Sequence, residues 1–141
     1  MDKIAIFKAK KFPDNSWEYG VPMKSGHDDD KWYISNSVVY NDKVVMHPVL
    51  GNSICEFIGI TDKRYKRIYE NDILKDRKNK HYIIKKRKGH FIIKRFYYKI
   101  IKNKKEYPIV GKMISKISNE FKIINNLNDI PHEQCVRYYL R

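Results

Sequence analysis

Between Phe57 and Leu74 the chain reads FIGITDKRYKRIYENDIL, and no apolar run in it exceeds two residues before glycine, a turn former or a charge interrupts. A surface helix needs apolar residues recurring at three- and four-residue spacing over several turns, and nothing of that period survives here. The pattern is instead a strand over Glu56–Ile60, a turn over Thr61–Tyr65, a strand opening at Arg67–Tyr69 and a second, acidic turn before Ile73 and Leu74. Short carboxylates accept hydrogen bonds from turn amides, the role expected of Asp62 and Asp72, and asparagine tolerates the left-handed backbone, the role expected of Asn71.

The rest of the chain follows the same rule. Lys3–Lys11 reads as a first strand, with Ile4, Ile6 and Lys8 on one side and Ala5, Phe7 and Ala9 on the other. Phe12–Ser16 is a turn, and Trp17, Tyr19 and Val21 alternate with Glu18 and Gly20 as the partner strand of a hairpin. Lys24–Lys31 is a solvated loop. Trp32–Tyr40 and Lys43–Leu50 are strands around the turn residues Asn41 and Asp42. Gly51–Ser53 is a break. His81–Lys86 and His90–Tyr98 form a second hairpin turning at Arg87–Gly89, where glycine supplies positive φ. Tyr107–Ile114 is expected to return as a strand, and Ile114, Ile117 and Phe121 suggest a short helix. Turn signals every eight to twelve residues predict an all-β protein. The expected divisions are an N-terminal β-module over 1–55, a core over 56–122, and a tail over 123–141 with a closing helical turn near Glu133–Leu140. The core is expected to be a small, strongly bent SH3-like barrel built from Glu56 to about Met113.

Two stretches resemble one family. The run from Phe57 to Leu74, with Asp62 in a basic turn followed by Ile68, Tyr69, Glu70 and Asp72, is similar to the bacteriophage YopX proteins. So is the opening, with its basic first strand, polar turn and Trp17-Glu18-Tyr19-Gly20. The hairpin after the acidic turn and the sequence Val110-Gly111-Lys112-Met113, taken as a closing strand, extend the likeness, whereas residues from Ile123 onward show no counterpart. Members usually carry glycine where this chain has Tyr65 and Asn71, so the first turn is expected to differ in geometry or to expose an extra ring. The resemblance implies a phage or prophage origin and brings no established activity with it.

Charge narrows the function. The net charge is +14, and Lys75–Lys105 alone holds fourteen Lys or Arg against the single acid Asp76, so that segment carries +13. A low-GC genome would inflate lysine, yet it would inflate glutamate as well, and the acids are missing here. In and just after the second hairpin, Lys85, Lys86, Arg87, Lys88, Lys94, Arg95 and Lys99 are the expected binding cations, with most of Lys85, Lys86, Arg87, Lys94 and Arg95 taken as solvated and Tyr97 as a ring for stacking alongside Tyr82, His90, Phe96 and Tyr98. Cations interleaved with aromatics on a β-surface are a common way to hold single-stranded nucleic acid. The expected function is therefore non-enzymatic nucleic-acid binding. The alternative is an inhibitor docking on a host replication, transcription or defence protein, including a nucleoprotein such as a CRISPR effector. Lysines on outer faces and edges also guard against edge pairing, and exposed edges leave a homo-oligomer open.

Other chemistry is poorly served. Glu70 and Asp72 have the spacing of a carboxylate pair, but a turn opening into a strand uses such residues for capping. His47 lies in an apolar segment without a nucleophile beside it. Asp28–Asp30 offer oxygen ligands on opposite faces of an extended chain, with no carboxylate pattern to complete a calcium loop. Cys55 and Cys135 lack paired spacing, and no phosphate-cradling glycine loop appears. No catalytic residue, metal or cofactor is expected. The N-terminus has no signal-peptide core and no apolar run approaches a membrane span, so a cytoplasmic protein of the bacterial host, without membrane contact, is expected.

Overall fold

A computed structural model describes residues 6–26, 31–40, 43–97 and 105–130. Asp28–Asp30, the Asn41–Asp42 turn, Lys99, Cys135 and the closing helical turn lie outside the described residues. The chain divides into two units between Phe57 and Ile58.

In the N-terminal unit, β1 (Phe7–Lys10) pairs antiparallel with β2 (Trp17–Lys24), β2 with β3 (Trp32–Tyr40), and β3 with β4 (Lys43–Val49). The other edge of β1 takes the first residues of β5 (Cys55–Thr61), through Phe7 opposite Glu56 and Lys8 opposite Cys55. The core of this unit is Ala9, Ile34 and Val49, with Trp32 and Ile54 packed against it. Gly51 is required by close approach: a β-carbon there would lie 2.5 Å from Cδ1 of Trp32. Lys8 and Lys10 share a face and hold their ammonium groups 4.3 and 4.6 Å from the Trp17 ring centre, a cation–π arrangement that lets Lys8 be largely buried.

The C-terminal unit begins within β5, whose far half neighbours β6 (Arg67–Tyr69), and continues as an open antiparallel sheet. Its strands are β7 (Asp72–Lys75), β8 (His81–Arg87), β9 (His90–Arg95), β10 (Tyr107–Pro108) and β11 (Lys122–Asn126), in the order β10-β9-β8-β7-β11. Successive strand residues face opposite ways, so the doublets Ile73-Leu74, Ile83-Ile84 and Ile92-Ile93 send one side chain to each face. Leu74, Ile84 and Ile93 join Ile68, Ile117 and Phe121 on one face. Ile73 and Ile83 join Phe96, Leu127 and Ile130 on the other. The middle of the sheet is thus buried on both sides.

The protein is all-β in its sheets with one helix, α1 (Lys112–Glu120), but no sheet closes into the expected SH3-like barrel among the described residues. The expected strand Tyr107–Ile114 ends after Pro108. Gly111, at φ 56° and ψ −127°, holds a backbone open essentially only to glycine and turns the chain into α1. The helix buries Ile117 and packs Met113 rather than Ile114, which is exposed. Residues 122–130, expected to fall mostly in a tail, instead supply β11 and the short helical turn Leu127–Asp129.

Two fully buried carboxylates close the turns of this unit. Oδ1 of Asp62 accepts from the amides of Arg64 (2.8 Å) and Lys66 (3.0 Å), while Oδ2 accepts from the amide of Ile123 (2.9 Å). Asp72 accepts the Tyr69 amide at 2.8 Å and the Asn126 side-chain amide at 2.9 Å. Asn71 takes the left-handed backbone as expected, at φ 69°, and Tyr65 does so as well, at φ 63° with its ring 88% exposed. Its turn keeps the backbone that glycine would give, and the extra ring projects into solvent.

Removing the Asp62 carboxylate leaves three amides without their acceptor, and Asp62→Ala should cost about 3 kcal/mol or more in urea unfolding. Tyr65→Gly should be neutral to stabilising by up to about 1 kcal/mol, because relief of the left-handed strain outweighs the added freedom of the unfolded chain. A clear loss of stability in Tyr65→Gly would mean that the exposed ring is held by contacts.

Candidate nucleic-acid interface

The second hairpin forms where the sequence predicts it, with β9 ending at Arg95 rather than running on through Phe96 and Tyr97, and Tyr98 outside the described residues. β8 and β9 pair from Tyr82 opposite Arg95 to Arg87 opposite His90, and the connecting Lys88 and Gly89 both have positive φ (50° and 85°), the backbone of a type I′ turn. With both faces buried at the doublets, the cations of β8 and β9 are displaced to the strand ends. Residues 86–90 are all exposed, and they form the tip.

The expected cluster is split by the pleat. Lys85, Arg87 and Lys94 lie on one face, Lys86 and Arg95 on the other. Lys85 is half-buried and its ammonium donates to Oδ1 of Asn71 at 2.7 Å. Arg87 donates through Nε to Oε2 of Glu106 at 3.1 Å, and Lys94 lies 3.8 Å from the same oxygen. Glu106 therefore ties β9 to the tip and offsets part of the charge on that face. On the other face the Lys86 ammonium lies 5.6 Å from the centre of the half-buried Phe91 ring. Arg95 sits between Tyr82 and Tyr97, its guanidinium carbon 5.5 and 5.2 Å from the two ring centres, and its Nε is buried without a hydrogen-bond partner. Lys85, Lys94 and Arg95 are thus partly buried, and the exposed cations of the hairpin are Lys86, Arg87 and Lys88, of which Arg87 is paired with Glu106.

The rings expected to stack bases are also partly spent. Phe96 is core, and Tyr82 packs against Phe121 at 5.2 Å between ring centres and donates its hydroxyl to Oδ2 of Asp76 at 3.1 Å. Burial of Tyr82 and the adjacent Asp76 charge raise its phenol above the ordinary range. Burial pushes the Asp76 carboxyl upward, but the amides of Lys80 and Lys78, the Tyr82 hydroxyl and the Lys80 ammonium outweigh it and hold the group below its usual value.

The structure adds cations that the hairpin reading missed. Arg77, Lys78 and Lys80 in the β7–β8 turn and Lys116 on α1 line a cleft of about 340 Å³ together with Asp76, Glu120, Tyr82 and Phe121. The run Arg77–Lys80 was visible as charge, but its nearness to Lys116 depends on how α1 packs. Of the two carboxylates Glu70 and Asp72, Asp72 is buried and accepts from Tyr69 and Asn126.

His81, opposite Lys75 in the ladder, is held below its ordinary value of 6.5, first by burial and then by the charges of Lys75 and Arg95. A base with a lowered folded value binds its proton more readily when unfolded. His81 therefore costs nothing above about pH 6.5 and destabilises progressively as pH falls through that value toward its folded one. Urea midpoints of the wild type should drop more steeply below pH 6.5 than those of His81→Gln, with the two curves parallel above it. Parallel curves throughout would remove His81 from the account.

The sequence pattern of the family described as YopX protein matches residues 7–132, nearly the whole chain. The match takes in residues 123–132, which were expected to have no family counterpart. No curated protein matches the chain.

Proposed function

This chain belongs to the YopX protein family, and we propose that it is a non-enzymatic cytoplasmic protein of phage or prophage origin that binds nucleic acid without strong sequence preference through the tip of the β8–β9 hairpin. The observation that carries the reading is the exposure of Lys86, Arg87 and Lys88 at the turn end of a sheet whose centre is buried on both faces, with Lys86 beside the Phe91 ring and Arg87 held by Glu106. Cations so placed meet phosphates with little desolvation, and a ring beside them offers a base one face on which to stack. Lys85, Lys94 and Arg95 serve the hairpin's own order, through Asn71, Glu106 and the Tyr82–Tyr97 stack. No chemistry is assigned to Glu70 and Asp72.

The test is fluorescence anisotropy of labelled single- and double-stranded DNA and RNA across a salt series. The variant Lys86→Gln/Arg87→Gln/Lys88→Gln should keep the wild-type fold, because all three side chains are exposed. It should lose affinity for every sequence alike, and the slope of log K against log salt on single strands should shrink by about 2, the share of three phosphate contacts. An unchanged slope would take the tip out of the interface. Absence of binding by the wild type at low salt would overturn the proposal and favour a protein partner with an acidic surface.

A further inference from the structure

At the opposite end of β8 from the hairpin tip, a second group of cations converges. Lys75 and Lys122 stand directly opposite one another in the β7–β11 ladder and therefore share a face. The turn after β5 brings two more to the same strand. The Lys63 amide donates to the carbonyl of Phe121 at 2.9 Å, and Nη2 of Arg64 donates to the carbonyl of Ile123 at 2.6 Å, so both residues flank Lys122.

The neighbouring acids are committed elsewhere. Asp62 is buried, with its oxygens taken by three amides, and only Oδ2 approaches a cation of the group, 3.8 Å from Nε of Arg64. Asp76 follows Lys75 but turns its carboxylate to the amides of Lys78 and Lys80 and to the Tyr82 hydroxyl. Glu120 lies 3.6 Å from Arg77. His81, on the other side of Lys75, adds no negative charge. Like charges directly opposite in a ladder destabilise it. The Lys122 ammonium accordingly lies below its ordinary value, chiefly because of Lys75, then slight burial, then Lys63. Four cations brought together by one ladder pair, one backbone hydrogen bond and one bond from the Arg64 guanidinium to a carbonyl are an arrangement that a multiply charged anion relieves.

We propose that Lys63, Arg64, Lys75 and Lys122 form a phosphate-binding site, separate from the hairpin tip. Six residue steps along β8 separate His81, opposite Lys75, from Arg87 at the tip, a span of roughly 20 Å at the rise of an extended strand. The ligand chemistry is a phosphate group, carried either by a nucleic-acid strand or by a free polyphosphate. The site stands independently of the hairpin reading.

Calorimetric titration with inorganic pyrophosphate at low salt tests it on the wild type, on Lys75→Gln/Lys122→Gln and on the triple tip variant. The wild type and the tip variant should bind alike, and the ladder variant should bind about tenfold more weakly or worse, the loss of at least one charge-assisted hydrogen bond. By NMR, the Lys122 ammonium should titrate at higher pH once pyrophosphate is bound, and also in Lys75→Gln without ligand. Should the ladder variant fail to fold, the exposed Lys63→Gln repeats the comparison. Oligonucleotides of equal length with and without a 5′-phosphate separate the sources. Affinity that depends on Lys75 and Lys122 in either assigns the site to a strand, at its end if only the phosphorylated one responds. Dependence for pyrophosphate alone assigns it to a free polyphosphate. Pyrophosphate binding that ignores all the ladder substitutions, or no binding by the wild type, overturns the site.

Discussion

The C-terminal unit depends on two carboxylates that a strongly basic chain keeps out of solvent. Asp62 and Asp72 each close a turn of their own and then reach a residue of β11, 61 and 54 positions away. A buried carboxylate is tolerable only when its lone pairs are filled, and here backbone and side-chain amides fill them. The turns are thereby rigid enough to set β6 and β7, and β11 is fixed to the edge of β7. From β11 the chain goes on to Leu127 and Ile130, which cover the second face of the sheet. Without that cover the Ile73 and Ile83 side chains would face water.

How much of this could be read from the amino acids depends on range. The turns were legible because their chemistry is local: an aspartate at the first turn position, an asparagine that takes positive φ, and Lys88-Gly89 between two strand patterns. The strands of both hairpins were legible for the same reason. The outer sheet edge was not. Lys122–Asn126 has two isoleucines and two asparagines, a pattern too weak to announce a strand, and its register shifts between Ile123 and Asn125. Its partner in β7 is fixed by contacts across 47 to 54 residues that leave no local mark. Gly111 misled in another way, since a glycine among aliphatics is compatible with a bulged strand, and only its backbone angles make it the start of a helix.

The binding surface was legible as charge and illegible as arrangement. Counting cations finds the segment, but the pleat decides which of them meet. Lys86 and Lys85 are neighbours in sequence and lie on opposite faces, while Lys75 and Lys122 are 47 positions apart by number and directly opposed in space. The isoleucine doublets explain the distribution along β8 and β9. They claim both faces of the sheet's middle, and the basic residues take the positions that remain.

That division of labour has a consequence for how such a hairpin can change over time. The doublets carry the packing, whereas residues 86–90 are exposed and touch little of the core. Substitutions of the exposed tip side chains outside the positive-φ pair Lys88 and Gly89 are thus nearly neutral for folding, and the charge there can change while the scaffold stays constant. Those side chains can vary without disturbing the packed frame that carries them.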